Sequence, residues 1–546
     1  MKDEIFIKDA VKSNFFFAII LNICLISSCS TDKIKKENMT QELQEKEEKY
    51  RPGLHFTPQK NWMNDPNGLF YLDEEFHLYF QHNPKSNVWG PMHWGHATSK
   101  DLINWEEHSI ALFPDELGTI FSGSVVVDHQ NSSGLGTIDI PPVIAIYTNH
   151  NENEQKRGSN LFQTQSIAYS LDKGFTWIKY ERNPVISNPG IKNFRDPKVF
   201  WMSQEKKWIM TLAAGQETHF YSSSNLIDWK FLSVFGKGIG NHDGVWECPD
   251  LFPAIIKESG KTKWVLIVSI NPGGPNGGSA TQYFVGDFDG KKFIVDSDFK
   301  LDLKNNHNFW IDFGKDNYAG VTFSNWKNND GNPLFLGWMS NWQYANKVPT
   351  FKWRSTMTIP RILELFQTET SYILNSKPSI DWESFTNKKI KIQEIKIGKS
   401  KTLVNNNSIN LSSSKVFVEI KNLEKNKYTF ILSNQEGDSL LFGYNHRKKS
   451  FFIDRSKSGE VDFSDDFSKK PSIASRLKST NSLMIDFIID KTSIELFFDS
   501  GEIVMSEIFF PNKPFEVLNL VTESSSNSFF SAEILELDPV KNKIIN

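Results

Sequence analysis

Three acidic residues sit in local settings that could put them to chemical work. Asp65 lies in Trp62-Met63-Asn64-Asp65-Pro66-Asn67-Gly68, ahead of a proline and an Asn-Gly turn signal that can fix a short acid at the end of a strand. Asp196 lies in Phe194-Arg195-Asp196-Pro197, beside a permanent cation and again before proline. Glu247 lies in Trp246-Glu247-Cys248-Pro249-Asp250-Leu251-Phe252. Acids held this way suit hydrolysis of a glycosidic bond with retention. One carboxylate attacks the anomeric carbon and a second carboxyl, about 5–5.5 Å away, protonates the leaving oxygen. Each motif also has a plain structural explanation, because Asp-Pro and Asn-Gly are turn residues and Arg195-Asp196 can be an ion pair. Taken singly, none decides.

Other constellations are weaker. His93 and His96, with His82 nearby, invite a zinc site, but strand and turn surround them and no cysteine or third ligand has the usual spacing. Structural histidines are expected and no metal. Cys248 could be a thiol nucleophile, yet no histidine pairs with it, and a small buried residue supporting Glu247 is the simpler reading. The glycine-rich run 271–278 lacks the Gly-Lys-Ser/Thr ending of a phosphate loop and reads as a surface loop over the cleft. No cofactor is implied. A net charge of −4 gives no basic excess to neutralise phosphates, which argues against nucleic acid as a partner.

The elements that must position the acids are strands. The chain has 546 residues, enough for several cores, and 16 Trp, 13 Tyr and 44 Phe suit packed sheet faces. Leu69-Phe70-Tyr71 and Phe76 to Phe80 flank Leu72-Asp73-Glu74-Glu75, which reads as a hairpin with a four-residue connection. A weak repeat follows: 99–105, 170–177 and 224–229 each place a tryptophan after a polar turn, behind a strand-like run. That spacing suits one four-stranded sheet per repeat, the unit of a β-propeller. Beyond it, 416–420, 428–432, 439–444, 482–487 and 493–498 are short apolar strands split by polar turns, as in a β-sandwich.

The N-terminus carries an export signal. Phe15 to Ile26 is apolar apart from Asn22, too short to span a bilayer, and it ends in Ile26-Ser27-Ser28-Cys29. This resembles a bacterial lipoprotein box, with residues 1–28 removed and lipid attached to Cys29, so a membrane-anchored protein at the cell surface or in the periplasm is expected. Residues 29–50 read as a solvated tether. With Cys24 removed and Cys29 lipidated, Cys248 stands alone and no intrachain disulfide is expected.

Together the acid motifs resemble glycoside hydrolase family 32, the invertases, inulinases and levanases. So do Tyr79 to Pro84, His93-Trp94-Gly95-His96, Phe121-Ser122-Gly123-Ser124, Trp310 to Asp316, Gly337 to Trp342, Trp353 to Met357, Phe452 to Ser456 and Ile494 to Phe497. The resemblance implies an all-β protein: a five-bladed propeller over 51–370, a linker at 371–388 and a sandwich over 389–546. It implies Asp65 as nucleophile, Glu247 as acid/base and Asp196 as stabiliser of the transition state. The values of Asp65 and Glu247 should then be pushed apart, with Arg195 helping to hold Asp196 ionised. Asn64 and Gln81 are expected on fructose hydroxyls, Trp62, Trp89 and Trp338 as apolar walls, and Phe121 and Ser122 at the rim. The substrate is expected to be a fructan, levan or inulin, and also sucrose, attacked in exo fashion. An endo-levanase, or a non-catalytic surface lipoprotein that captures sugar, is the alternative.

Overall fold

The computed structural model describes residues 48–306, 309–405, 408–538 and 543–544. The residues read as an export signal, Cys29 and most of those read as a tether lie outside these residues.

Five four-stranded antiparallel blades make the first half. They are β1 (Asn61–Leu72), β2 (Glu75–Asn83), β3 (His93–Ser99) and β4 (Glu106–Glu107); then β5 (Thr119–Val127), β6 (Val143–His150), β7 (Gln163–Ser170) and β8 (Ile178–Lys179). The third blade is β9 (Phe194–Met202), β10 (Lys207–Ala214), β11 (Thr218–Ser223) and β12 (Lys230–Phe235). The fourth is β13 (Val245–Ile255), β14 (Thr262–Asn271), β15 (Ala280–Phe288) and β16 (Phe293–Val295). The fifth is β17 (Tyr318–Thr322), β18 (Leu334–Met339), β21 (Arg361–Gln367) and β22 (Tyr372–Pro378), with two short strands, β19 (Trp353–Arg354) and β20 (Thr356–Met357), between them in sequence. β22 thus occupies part of the stretch that the sequence reading sets aside as a linker. The first strands, β1, β5, β9, β13 and β17, neighbour one another in a closed ring. β19 pairs in parallel with β1, placing Trp353 against Asn61, and so joins the last blade to the first.

The second strands of the blades are buried along most of their length because other blades cover both faces. Every residue of β6, Val143–His150, is buried. The tryptophan repeat is one turn used three times, always between a blade's third and fourth strands. Asp101 Oδ1 accepts the N–H of Asn104 at 2.7 Å, Asp172 Oδ1 that of Thr176 at 2.9 Å, and Asn225 Oδ1 that of Asp228 at 2.9 Å. In the fourth blade Asp289 accepts from Lys292 in the same way, without a tryptophan. The short polar side chain stands in for a backbone carbonyl, which is why Asp or Asn recurs there. The first hairpin is tighter than its sequence suggests. Leu72 pairs with Glu75, leaving two residues, Asp73 and Glu74, both at positive φ.

The second half is one continuous sheet folded on itself: β23 (Thr386–Val404), β24 (Ser413–Lys421), β25 (Lys427–Ser433), β26 (Ser439–Asn445), β27 (Ser450–Lys457), β28 (Ser472–Ser475), β29 (Ser482–Asp490), β30 (Ser493–Phe498), β31 (Ile503–Ile508) and β32 (Val517–Leu537). The 21-residue β32 serves both layers, pairing with β25 through its first residues and with β24 through its last. Phe430 and Phe442 from one layer meet Phe487 from the other at 5.9 and 5.2 Å. Here burial alternates, as in β25, because one face meets the core and the other is partly solvated.

A buried polar seam joins propeller and sandwich. Arg361 of β21 donates to Asp312 at 2.9 Å and to Glu495 of β30 at 3.0 Å. His55 bridges Asp490 at 2.8 Å and Glu495 at 2.9 Å. Arg455 of β27 donates to Asp316 at 2.6 Å and to the Tyr344 hydroxyl at 2.8 Å. The motif Trp310 to Asp316 therefore serves this seam rather than a site.

Candidate active site

Every strand of the inner ring is irregular at the same level. Asn64 and Asp65 face one residue of β2, Phe121 and Ser122 one of β6, and Asp196 and Pro197 one of β10. Cys248 and Pro249 face one residue of β14, and Ala319 and Gly320 one of β18. Two residues opposite one is a β-bulge, which kinks the strand and re-aims its side chains. Asp196, Cys248 and Ala319 take up φ of 65°, 46° and 52° to do so. β1 also runs unbroken through Asn67-Gly68, where the sequence suggested a turn, and Gly68 and Leu69 face one residue of β2 as a second bulge.

The bulges turn Asp65, Asp196 and Glu247 into one pocket of about 280 Å³. Both oxygens of Asp65 are held, Oδ2 by the Ser122 hydroxyl at 2.7 Å and Oδ1 by the Asn64 amide at 2.8 Å. Trp62 Nε1 donates to Asn64 Oδ1 at 2.7 Å, fixing that amide in turn. Asp196 donates its own N–H to Thr148 and accepts that of Cys248, both at 3.0 Å. Arg195 donates to Glu247 Oε1 through Nε at 3.1 Å and Nη2 at 2.9 Å, while the Tyr318 hydroxyl bonds Oε2.

Burial pushes the Asp65 carboxyl above its ordinary value, and the nearby Glu247 charge adds to this against the Ser122 and Asn64 hydrogen bonds. Asp196 is pushed up to about 7, chiefly by burial, with Arg195 opposing and Glu247 and Asp65 assisting. Arg195 thus favours the ionised Asp196, as expected, but burial outweighs it. Arg195 donates to Glu247 and, through Nη1, to Asn193 at 3.0 Å, and it lies 3.9 Å from Asp196 Oδ2, too far to offset desolvation.

Asn64, Gln81, Trp89, Phe121, Ser122 and Arg195 line the pocket with the three acids. Trp89 is 40% exposed at the rim and meets Phe121, which stacks on His150 at 4.2 Å. Trp62 and Trp338 do not form walls: both have zero exposure and lie beneath Trp342, the ring that does face the pocket. Cys248 touches Asp65 and Asp196 through Sγ, 3.7 Å from each, so it backs the two aspartates rather than Glu247. Sequence reasoning missed Tyr318, Thr148, His150, Gln163 and Asn193. None stands in a motif with chemical character, and only the ring of blades brings them in. Trp342 was the readable one, three residues past Met339. Among the histidines, His82 meets the Trp62 carbonyl at 2.8 Å and His96 pairs with His77 at 3.1 Å.

A five-bladed propeller with clustered carboxylates at one end of its inner strands, backed by a sandwich, defines a glycosidase. Residues 55–378 match the glycosyl hydrolases family 32 N-terminal domain and 381–536 the family 32 C-terminal domain. The chain belongs to glycosyl hydrolase family 32. It is 42% identical to a levanase of Bacillus subtilis over 498 residues, 91% of this chain and 71% of that protein. An extracellular exo-inulinase of Aspergillus awamori is 37% identical over 515 residues, covering 89% and 94%. Its crystal structure superposes with a TM-score of 0.80 over 90% of this chain and 98% of that one, at 34% identity. A β-fructofuranosidase of Schwanniomyces occidentalis, solved with fructosyl-erythritol, gives a TM-score of 0.81 at 36% identity, covering 91% and 99%.

Proposed function

We propose that the chain is a retaining, exo-acting fructan hydrolase that removes single fructose units from levan or inulin and also cleaves sucrose. The observation that carries this is the pocket itself. At about 280 Å³ it has room for one terminal sugar, and the packed inner strands close its floor. A closed floor favours attack at a chain end over attack in the middle of a polymer. The family resemblance of the levanase and exo-inulinases supports the substrate class.

In this reading an Asp65 oxygen attacks C2 of the fructosyl unit as the bond from C2 to the leaving oxygen breaks, and Glu247 gives that oxygen its proton. Glu247 then takes a proton from the water that attacks C2, and Asp65 leaves. Ser122 and Asn64 aim the nucleophile. Tyr318 suits a group that changes protonation, because its hydroxyl can donate to a carboxylate or accept from a carboxyl. Asp196 offers its free oxygen to fructose hydroxyls and, when ionised, stabilises the positive charge developing at C2.

Early time points on levan and inulin test the mode of attack. Fructose alone with slowly falling polymer length is expected; a ladder of oligosaccharides at the outset would make the enzyme an endo-levanase. Proton NMR of the first product should show the retained anomer, and Asp65→Ala should lose about 10³-fold or more in kcat. Export with a lipid on Cys29 is part of the proposal, supported by the sequence Ile26-Ser27-Ser28-Cys29 and by relatives named as extracellular. Cys29→Ser should then release the protein from membranes and abolish labelling by a palmitate analogue.

A further inference from the structure

A second and larger cavity, of about 880 Å³, opens where β5, β9 and β13 end and where the chain leaves β17. Asp196 and Met202 lie at the two ends of this arrangement, six residues or roughly 20 Å apart along β9. No residue lines both cavities. Between them Lys198 crosses the channel. Its ammonium donates to the Thr322 carbonyl and lies 3.4 Å from Asp250 Oδ2, which also accepts the Thr322 N–H and hydroxyl at 2.7 Å each.

The wall of this far cavity is unusual in its aromatic groups. Trp201, Trp264 and Trp326 are half-buried there, with Phe200 beside them. None of the three indole N–H groups donates to an acceptor among the described residues, whereas Trp208 nearby does, to Ser132 at 2.9 Å. The buried charges of the lining are answered from within the protein. Lys198 pairs with Asp250, and Asp128 accepts from the Ser132 hydroxyl at 2.9 Å and from the Ser133 N–H at 2.8 Å, while the exposed Asp287 pairs with Lys263 at 2.8 Å. Lys198 and Asp250 therefore answer each other, and both oxygens of Asp128 are already taken by hydrogen bonds. Apolar ring faces bordered by unspent donors match a neutral sugar, which offers C–H faces and hydroxyl acceptors together.

We infer that this cavity is a second carbohydrate site, which holds a neutral fructan segment while the acidic pocket works on a chain end. The inference rests on the fructan-hydrolase reading for its ligand. A second hold on the same polymer raises the local concentration of chain ends without any change at the acids.

Calorimetric titration of the full chain carrying Asp65→Asn, which blocks turnover, with a short inulin-type fructo-oligosaccharide should show two binding events. Adding Trp264→Ala and Trp326→Ala should remove one of them. In the otherwise native chain the same pair of changes should leave sucrose turnover within about twofold and lower the rate on dilute polymer about tenfold. Sucrose turnover reports folding; should Trp264→Ala unfold the chain, Trp201→Phe with Trp326→Phe removes the indole donors but keeps the rings, and a weaker second event is expected. A single binding event, or two that survive these substitutions, would overturn the inference. So would equal binding of a cello-oligosaccharide, since the ligand would then not be fructan. A native chain that cleaves neither sucrose nor fructan would instead overturn the functional reading, and the titration would still count the sites.

Discussion

Three carboxylates share one arginine in the acidic pocket, and all-ionised acids would leave an uncompensated negative charge in a buried place. The raised values of Asp65 and Asp196 are the result: the cluster keeps a proton that separate, solvated acids would release. Because the proposed nucleophile Asp65 must be ionised to attack, its raised value works against activity at acid pH. The cluster also costs stability. Folded Asp196 titrates near 7 against 3.8 for the unfolded chain, so between those values the native state binds more protons than the unfolded state. Stability attributable to Asp196 therefore falls as pH rises from about 4 to 7. Asp196→Asn should abolish that fall and stabilise the protein at pH 8 by on the order of 1–3 kcal/mol, while activity drops at least ~100-fold. Urea unfolding of both proteins at pH 5 and pH 8 measures it. A variant less stable than the parent at pH 8 would mean that Arg195, not desolvation, governs Asp196.

At the scale of elements, the bulge is the unit that makes the site. Strands alternate their side chains, so a regular inner strand would aim only every second residue at the channel. Setting two residues against one lets Asn64 with Asp65, and Phe121 with Ser122, present neighbouring side chains to one pocket. Gly68 is where this is most exposed to test. Its φ is +51°, and an added Cβ would stand 2.7 Å from Tyr79 Cδ2 and 2.8 Å from Val125 Cγ2. Next to it, Asn67 donates to the Asp65 carbonyl at 2.6 Å and accepts the Gly123 N–H at 3.1 Å. Gly68→Ala should cost about 1–3 kcal/mol and lower kcat through displacement of Asp65, with KM for sucrose changing less. Thermal unfolding and steady-state kinetics together check it; unchanged kcat would uncouple this second bulge from the nucleophile.

For the whole molecule, the seam makes propeller and sandwich depend on each other. Arg361 is fully buried between Asp312 and Glu495, and removing it would leave two buried carboxylates without their shared guanidinium. Arg361→Met should destabilise by about 3–5 kcal/mol, read as a shift in denaturant midpoint. His55 carries the seam's pH dependence. Burial alone would lower its value, but hydrogen bonds and charge from Asp490 and Glu495 raise it from 6.5 to about 9. Its contribution is thus fully present below pH 6.5 and lost as pH climbs through 9. Asp490 and Glu495 are depressed, chiefly by their partners His55 and Arg361 against burial, so their contribution is present above the ordinary carboxylate range and lost on acidification. His55→Gln should flatten the alkaline limb of melting temperature against pH between 6.5 and 9; a limb of unchanged slope would place that dependence elsewhere.

Much of this was legible in the chain because it is local. The tryptophan turns repeat since an Asp or Asn must cap the same backbone bend, so their spacing announced the blades before any contact was known. Asp65, Asp196 and Glu247 stood out through their neighbours, and Ser122 and Asn64 through motifs beside them. What depended on the path of the chain through space was not legible. Trp62 and Trp338 look like Trp89 in sequence, yet they are sealed under Trp342 because the first and fifth blades meet there. Arg195 is adjacent to Asp196 but serves Glu247, since a kinked strand turns its guanidinium toward the next blade. Tyr318 bears no signal at all and reaches Glu247 only when the fourth and fifth blades pack side by side. Sequence determines which residues can bend a strand or carry a charge; closure of the blades decides which of them meet, because burial and charge shift a carboxyl only once groups distant in the chain surround it.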